Sequence, residues 1–335
     1  MVPIRILVIG GTRFVGYQLV WRLVAAGHTV SILNRGLTPD PFRSRVERIV
    51  ADRRSPAFAA ALHGRTFDAA VDFAAFDAQD SAQAAAVLLG QVGHYVLISS
   101  GQVYLVLEGA DRPGMVPESG YTGRVAAAPA DPRDQAEWRY GVAKREAEDV
   151  LVSAFEEDRF PATRLRLPMV NGERDPHRRI EGYLWRILDG GPLLLPDGGR
   201  QPVRHVYAAS VAQAILDLLG KKETFGKAFN LAQDEMPTLR EFVEMLQQLI
   251  GATGEIVDVS GAHMVAAGLR PVFASAFSDP WMSCLDPAKA KAQFGFRHEP
   301  LAAYLGKITA SFLSRLPEPP PESYAQRPGE LTLVR

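Results

Sequence analysis

Residues 6–16 read Ile6-Leu7-Val8-Ile9-Gly10-Gly11-Thr12-Arg13-Phe14-Val15-Gly16, and this stretch decides the fold. The apolar run from Ile4 to Ile9, broken only by Arg5, has the composition of a strand buried in a parallel sheet. It stops at Gly10 and Gly11. A helical pattern follows, with apolar residues at Phe14, Val15, Leu19, Val20, Leu23 and Val24. Strand, glycine turn and helix in this order form the phosphate-binding unit of a dinucleotide fold. Gly10 permits the tight turn and Gly16 lets helix and strand pack closely. The free N–H groups of the first helical turn then face a pyrophosphate. Arg13 stands where the usual spacing has a middle glycine.

Working outward, strand-like runs recur at Thr29–Leu33, Val46–Val50, Phe67–Phe73, His94–Ser99 and Ala162–Leu167. An alanine-rich helix (78–90) and a long charged helix (134–155) separate the later ones. The alternation predicts an α/β fold with a doubly wound parallel sheet, a Rossmann arrangement, and a smaller C-terminal substrate lobe. Residues 1–165, completed by about 206–232, form the expected dinucleotide-binding domain. Residues 166–205 and 233–315 form the lobe; helices are expected over 180–188 and 238–250 in it, and over 210–219 in the segment that completes the first domain. Thr238 is the expected N-cap of the last helix, with Glu241 three residues on. Residues 105–133, rich in proline and glycine, read as a long loop over the active site. The tail 316–335, with Pro319, Pro320 and Pro321, reads as extended.

Composition sets limits. The chain has 335 residues, enough for one large domain or two joined lobes. A formal net charge of −1 gives no bulk basic field for nucleic acid or membrane. Cys284 is the only cysteine, which excludes an intrachain disulfide framework and suits a reducing compartment. The first strand begins near Met1 and no apolar run approaches ~18 residues, so a cytoplasmic protein without leader or membrane span is expected. The seven histidines and Cys284 show no metal-ligand spacing, so no metal is expected.

The second informative group is Tyr140-Gly141-Val142-Ala143-Lys144. Tyr140 and Lys144, four apart on a helix, share a face. An ammonium nearby lowers the pKa of a phenol. Such a tyrosine exchanges a proton with an alcohol or carbonyl as hydride leaves or arrives. Ser100, at the carboxyl edge of the sheet, supplies a hydroxyl to hold the substrate oxygen.

Together these motifs resemble the extended short-chain dehydrogenase/reductases, the NAD-dependent epimerase/dehydratase family. The resemblance runs to about residue 305. It covers the opening turn, Ser99-Ser100-Gly101-Gln102-Val103-Tyr104, Tyr140 with Lys144, Arg166-Leu167-Pro168 followed by Gly172, and Asp286-Pro287-Ala288-Lys289-Ala290 with Gly295-Phe296. It implies that Ser100 polarises the substrate oxygen, that Tyr140 is the acid/base, and that Lys144 also holds the nicotinamide ribose. It also implies a homodimer through the tyrosine helix, where Arg145, Glu146, Glu148 and Asp149 would need partners if buried. The Gly-Gly-Thr-Arg-Phe turn is similar to that of the chloroplast stem-loop-binding branch, which is associated with RNA.

The cofactor-binding set is Gly10, Gly11, Thr12, Arg13, Phe14, Val15, Gly16, Asn34, Arg35, Asp52, Ala74, Ala75, Tyr140 and Lys144. Members that use NAD carry an acid at the end of the second strand. Here Asn34 and Arg35 stand there, and Arg13 lies near, which favours NADP over NAD. Asp52 resembles the family's adenine contact, and Ala74 and Ala75 line the cofactor path.

For the substrate, Met169 takes the position where members that bind nucleotide-sugars often have an asparagine. Asn171 is close but out of register, and Arg204 or Arg200 is the candidate diphosphate ligand. His205 reads as structural. The basic segment Arg174, His177, Arg178 and Arg179 is either a second anion contact or a solvated helix start. The inferred chemistry is hydride transfer at a secondary alcohol or ketone of a sugar, a nucleotide-sugar or a non-sugar metabolite. Gly101 and Gln102 replace the dehydratases' acidic pair and argue against dehydration. Epimerase and reductase stay open. A catalytically silent RNA-binding or regulatory member of the fold is the alternative, opposed by the intact Ser100, Tyr140 and Lys144.

Overall fold

The computed structural model describes residues 2–39, 41–110 and 114–334. In β1 (Arg5–Ile9), Ile6 and Val8 enter one apolar cluster and Leu7 and Ile9 the other. A strand turns successive side chains to opposite faces, so an unbroken apolar run needs cover on both sides. Strands β2 (Thr29–Asn34), β3 (Glu47–Val50), β4 (Ala69–Asp72) and β5 (Tyr95–Ser100) join β1, as do strands Ala162–Leu167 and Ala228–Asn230. The order across the seven-stranded sheet is Ala228–Asn230, Ala162–Leu167, β5, β4, β1, β2, β3. Every pairing in it is parallel. The winding reverses between β1 and β4, so their carboxyl ends open a crevice.

The helices of this half are α1 (Phe14–Ala25), α2 (Ala57–Leu62), α3 (Ala78–Leu88), the short α4 (Gln102–Leu105) and α5 (Pro132–Asp158). The next three are α6 (Arg179–Leu188), α7 (Ala208–Leu218) and α8 (Leu239–Ile250). Helices α1 and α7 cover one face of the sheet, and α2, α3 and α5 the other. A separate core built from Tyr183, Leu184, Phe242, Leu246, Phe277, Tyr304 and Phe312 holds the second half. Thr238 and Glu241 form a reciprocal capping box at the start of α8. The Asp286–Phe296 motif caps the sheet edge: Lys289 Nζ donates to the Ala228 carbonyl at 2.9 Å and Phe294 packs edge-on against Phe229. No helix among the described residues is long and apolar enough to cross a membrane.

Three expectations change. Segment 105–133 does not cover the cleft that holds Ser100 and Tyr140, since none of its described residues lines it; residues 111–113 lie outside the described residues. It docks beside α5 instead. Met115–Val116 pairs with Cys284–Leu285, and Tyr121 sits under the Arg145 guanidinium. Arg145 donates to the Val103 and Tyr121 carbonyls, and Glu148 binds Arg166, so two of the charges assigned to a dimer face are satisfied within the chain. The tail is packed rather than extended. Residues Arg327–Leu333 form a helix, and Glu330 is fully buried against Arg186 at 2.6 Å. The proline run only precedes this helix; its anchors are charges whose partners lie in α6 and its end.

His94, at the amino end of β5, is fully buried. Gly220 N donates to its Nδ1 (3.0 Å), which leaves the proton on Nε2 facing Thr163 Oγ1 at 2.9 Å. Burial holds this imidazole down at about 4. The unfolded chain therefore takes up a proton below about 6.5 that the folded chain refuses, and stability falls as pH drops from about 6.5 to about 4. In urea unfolding at pH 7, 5.5 and 4.5, His94→Gln should show a decline shallower by up to about 2 kcal/mol. An unchanged decline would contradict the assignment.

Candidate active site and dinucleotide cleft

The turn after β1 has the conformation that only glycine adopts freely: φ is +91° at Gly10 and +81° at Gly11. A Cβ on Gly11 would lie 2.5 Å from Val8 Cγ1, and one on Gly16 would lie 2.4 Å from Gly11 Cα. Helix α1 thus starts directly on the sheet edge. No side chain caps its N-terminus and no acid lies in its first turn. Its open N–H groups and positive dipole end face a cleft of about 490 Å³. This cradle, which a Cβ would fill, fits a dinucleotide pyrophosphate.

Gly10, Thr12, Arg13, Asn34, Arg35, Asp52 and Ala74 line that cleft. Gly11, Val15, Gly16 and Ala75 lie buried beneath its wall. Asn34 closes β2 by accepting the Gly36 N–H on Oδ1 at 2.7 Å. Arg53 and Arg54 also line the cleft, but both are engaged. Arg53 pairs with Asp72 at 2.8 Å and Arg54 with Asp80 at 2.8 Å. Arg35 makes no hydrogen bond or ion pair among the described residues, and Arg13 only donates to Thr38 Oγ1 at 3.1 Å. These two guanidiniums remain for an anion. Asp52 accepts the Arg54 N–H at 2.9 Å and is the one carboxylate among the lining residues.

A second cleft of about 470 Å³ holds Ser100 and Tyr140, with Phe14 and Met169 on its walls. Helix α5 presents a buried stripe of Gly141, Lys144, Glu148 and Leu151, spaced three and four apart. Gly141 is needed there, because a Cβ would lie 2.8 Å from the Gln102 carbonyl. That close approach brings α5 against the Ser100 segment, and Ser100 and Tyr140 line the same cleft. Tyr140 stays 37% exposed. Burial pushes the phenol above its usual range, and the nearby Ser100 hydroxyl offsets part of this. Lys144 lies beneath, donating to the Ala75 carbonyl (2.6 Å) and the Ile98 carbonyl (2.9 Å). Burial brings its ammonium down to about 8 despite nearby Asp72 and Glu148. The sequence-based expectation of a phenol lowered by lysine is thus not met here. The lysine is turned to two carbonyls and burial dominates at the tyrosine.

Two proposed substrate residues lie elsewhere. Asn171 is 1% exposed and binds His205 Nδ1 at 2.8 Å, away from Tyr140. Arg204 is buried and donates to the Gln233 carbonyl at 2.7 Å. Arg200 pairs with Asp258 at 3.2 Å. The basic segment is also engaged. Arg174 stacks on Tyr17, Arg178 pairs with Glu181 at 2.6 Å and Arg179 with Asp175 at 3.1 Å. His205, buried and brought down to about 3, is structural.

Glu137, Asp175, Asp279, Trp281 and Ser283 line the catalytic cleft without having been singled out. Glu137 had a legible signal, since it lies three residues before Tyr140 on one helix face. Asp279, Trp281 and Ser283 come from an irregular segment of the second lobe and had none.

Fold and glycine turn define a Rossmann-type protein with a dinucleotide cleft. The comparisons agree. The chain belongs to the NAD dependent epimerase/dehydratase family, whose description matches residues 6–232. It is similar to the chloroplast stem-loop binding protein of 41 kDa b of Arabidopsis thaliana, with 24% identity over 70% of this chain and 60% of that protein. It is also similar to the 2'-dehydrokanamycin reductase of Streptomyces kanamyceticus, with 26% identity over 74% of this chain and 67% of that one. Among solved structures, UDP-glucuronic acid 4-epimerase from Bacillus cereus, in complex with UDP-glucuronic acid and NAD, shares the fold. It superposes with a TM-score of 0.68 at 17% identity over 92% of this chain and 99% of that one.

The close contact of Gly16 with Gly11 generates a prediction. Gly16→Ala should lower stability by about 1–3 kcal/mol through overpacking. Unchanged stability in thermal unfolding would refute the packing argument.

Proposed function

We propose that this chain is an NADP-dependent oxidoreductase acting by hydride transfer at a secondary alcohol or ketone, with Ser100, Tyr140 and Lys144 as its catalytic group. The observation that carries the reading is that Ser100 and Tyr140 line one cleft above the buried Lys144, next to a glycine turn built for pyrophosphate. A nicotinamide dinucleotide bound in the first cleft supplies or accepts the hydride. Gly10, Thr12 and the N–H groups of α1 would hold its phosphates, and Lys144 would hold its ribose. Ser100 donates a hydrogen bond to the substrate oxygen. Tyr140, protonated at neutral pH, delivers its proton to that oxygen as the carbonyl is reduced, and takes it back in the reverse direction. A phenol held above its usual range suits the reducing direction, and the similarity to a reductase supports the same choice. Epimerisation of a nucleotide-sugar, the activity named for the structural neighbour, has less support, because Arg204 and Arg200 are engaged elsewhere.

The preference for NADP rests on Arg13 and Arg35, which remain available, and on the amide of Asn34 where a carboxylate would repel a 2′-phosphate. Likeness to the stem-loop binding protein keeps RNA binding as the competing reading, but the chain offers no net basic charge for it.

Three measurements test this. Tyr140→Phe should cut ketone-dependent NADPH oxidation by about 10²–10⁴-fold with NADP affinity nearly unchanged; near-wild-type turnover would overturn the proposal. Arg35→Ala should weaken NADP by about tenfold and leave NAD almost untouched; equal losses would remove its 2′-phosphate role. NADP affinity should fall as pH rises through about 8, where Lys144 loses its charge. Lys144→Met should be flat over that range in calorimetric titrations, and a wild-type-like pH dependence in the variant would refute the ribose role.

A further inference from the structure

The charges around Tyr140 bear on what the cleft accepts. Three carboxylates line it, Glu137, Asp175 and Asp279, against one guanidinium, Arg179. Arg179 Nη1 lies 3.1 and 3.2 Å from the two oxygens of Asp175, so that pair is closed. Asp279 is met by Arg133 and by the Trp281 N–H at 2.9 Å. His177, also in the lining, is held below its usual value by burial and by Arg179, and is neutral at pH 7. Glu137 is left with one uncharged donor, the side-chain amide of Gln102. It stands one helical turn from Tyr140, close enough that its charge raises the phenol further. Among the described residues, no lining cation is free to neutralise it.

We propose that this cleft takes a ketone, or the corresponding alcohol, that carries a protonated amine, with Glu137 as the residue that receives the ammonium. The inference rests on the hydride-transfer reading above and names the substrate class of the same site. A nucleoside diphosphate would bring at least two negative charges into a cleft whose uncompensated charge is already negative, which Coulomb repulsion in a partly desolvated site disfavours. An ammonium group reverses that sign and gives Glu137 a charge-assisted hydrogen bond.

The test is a matched set of ketones differing mainly in charge: piperidin-4-one, tetrahydropyran-4-one and 4-oxocyclohexanecarboxylate. NADPH oxidation gives kcat/KM for each, and calorimetry of the NADP-loaded protein gives binding. The expected result is a preference of about tenfold for piperidin-4-one over the neutral ketone, with the carboxylate poorest in both measurements. In Glu137→Gln the ammonium-to-neutral ratio should fall towards one. Equal or better use of the neutral or anionic ketone, an unchanged ratio in Glu137→Gln, or no binding of any of the three would overturn the proposal. Ammonium-selective binding without turnover of any ketone would leave this inference standing and sink the hydride-transfer reading instead.

Discussion

The half of the molecule that carries Ser100, Tyr140 and Lys144 depends on one buried ion pair. Glu148 on α5 is fully buried and meets Arg166 on the neighbouring strand at 2.6 Å. Ser99 Oγ donates to the same carboxylate, also at 2.6 Å. Burial by itself would raise this carboxyl, yet Arg166 outweighs it and holds the group below its usual range. Removing one partner of such a pair costs about 3–5 kcal/mol, because the other is left charged in the interior. Glu148 lies four residues after Lys144 and eight after Tyr140, so the pair sets the register of α5 against β5. Lys144 then reaches the carbonyl of Ile98, and Tyr140 lines the same cleft as Ser100. Tyr104 and Asn230 extend the network to the sheet's edge strand.

The charge left unpaired differs between the two clefts. In the first, Arg53 and Arg54 are held by Asp72, Asp77 and Asp80, Asp52 is the one lining carboxylate, and the guanidiniums of Arg13 and Arg35 stay without a carboxylate partner among the described residues. In the second, matching the cations leaves Glu137. On the reading proposed above, cofactor phosphates would meet Arg13 and Arg35, and a substrate amine would meet Glu137. A count of basic residues would have missed this, since charge in a folded site is what stays unpaired.

That point also explains what the sequence disclosed and what it withheld. The turn at Gly10–Gly16 and the Tyr140–Lys144 spacing are local, so the rules of helix and turn geometry apply within a few residues. The strand order follows from the rhythm of the chain. Asn171 and Arg204 were misplaced because their surroundings come from far away: Tyr304 and Gln233 fix the neighbourhood of one, and Gln233 and Met115 occupy the other. Segment 105–133 reads as a loose loop until Arg145 and Asn230 supply its anchors. The packed tail hides behind a proline run for the same reason.

The buried Arg186–Glu330 contact joins residues 144 positions apart. A chain made from its N-terminus completes the seven-stranded sheet at Asn230, well before Glu330 exists. At about 5–20 residues per second, Arg186 waits on the order of 10 s for its partner. During synthesis the dinucleotide half can therefore close while the lobe that shapes the catalytic cleft is still open.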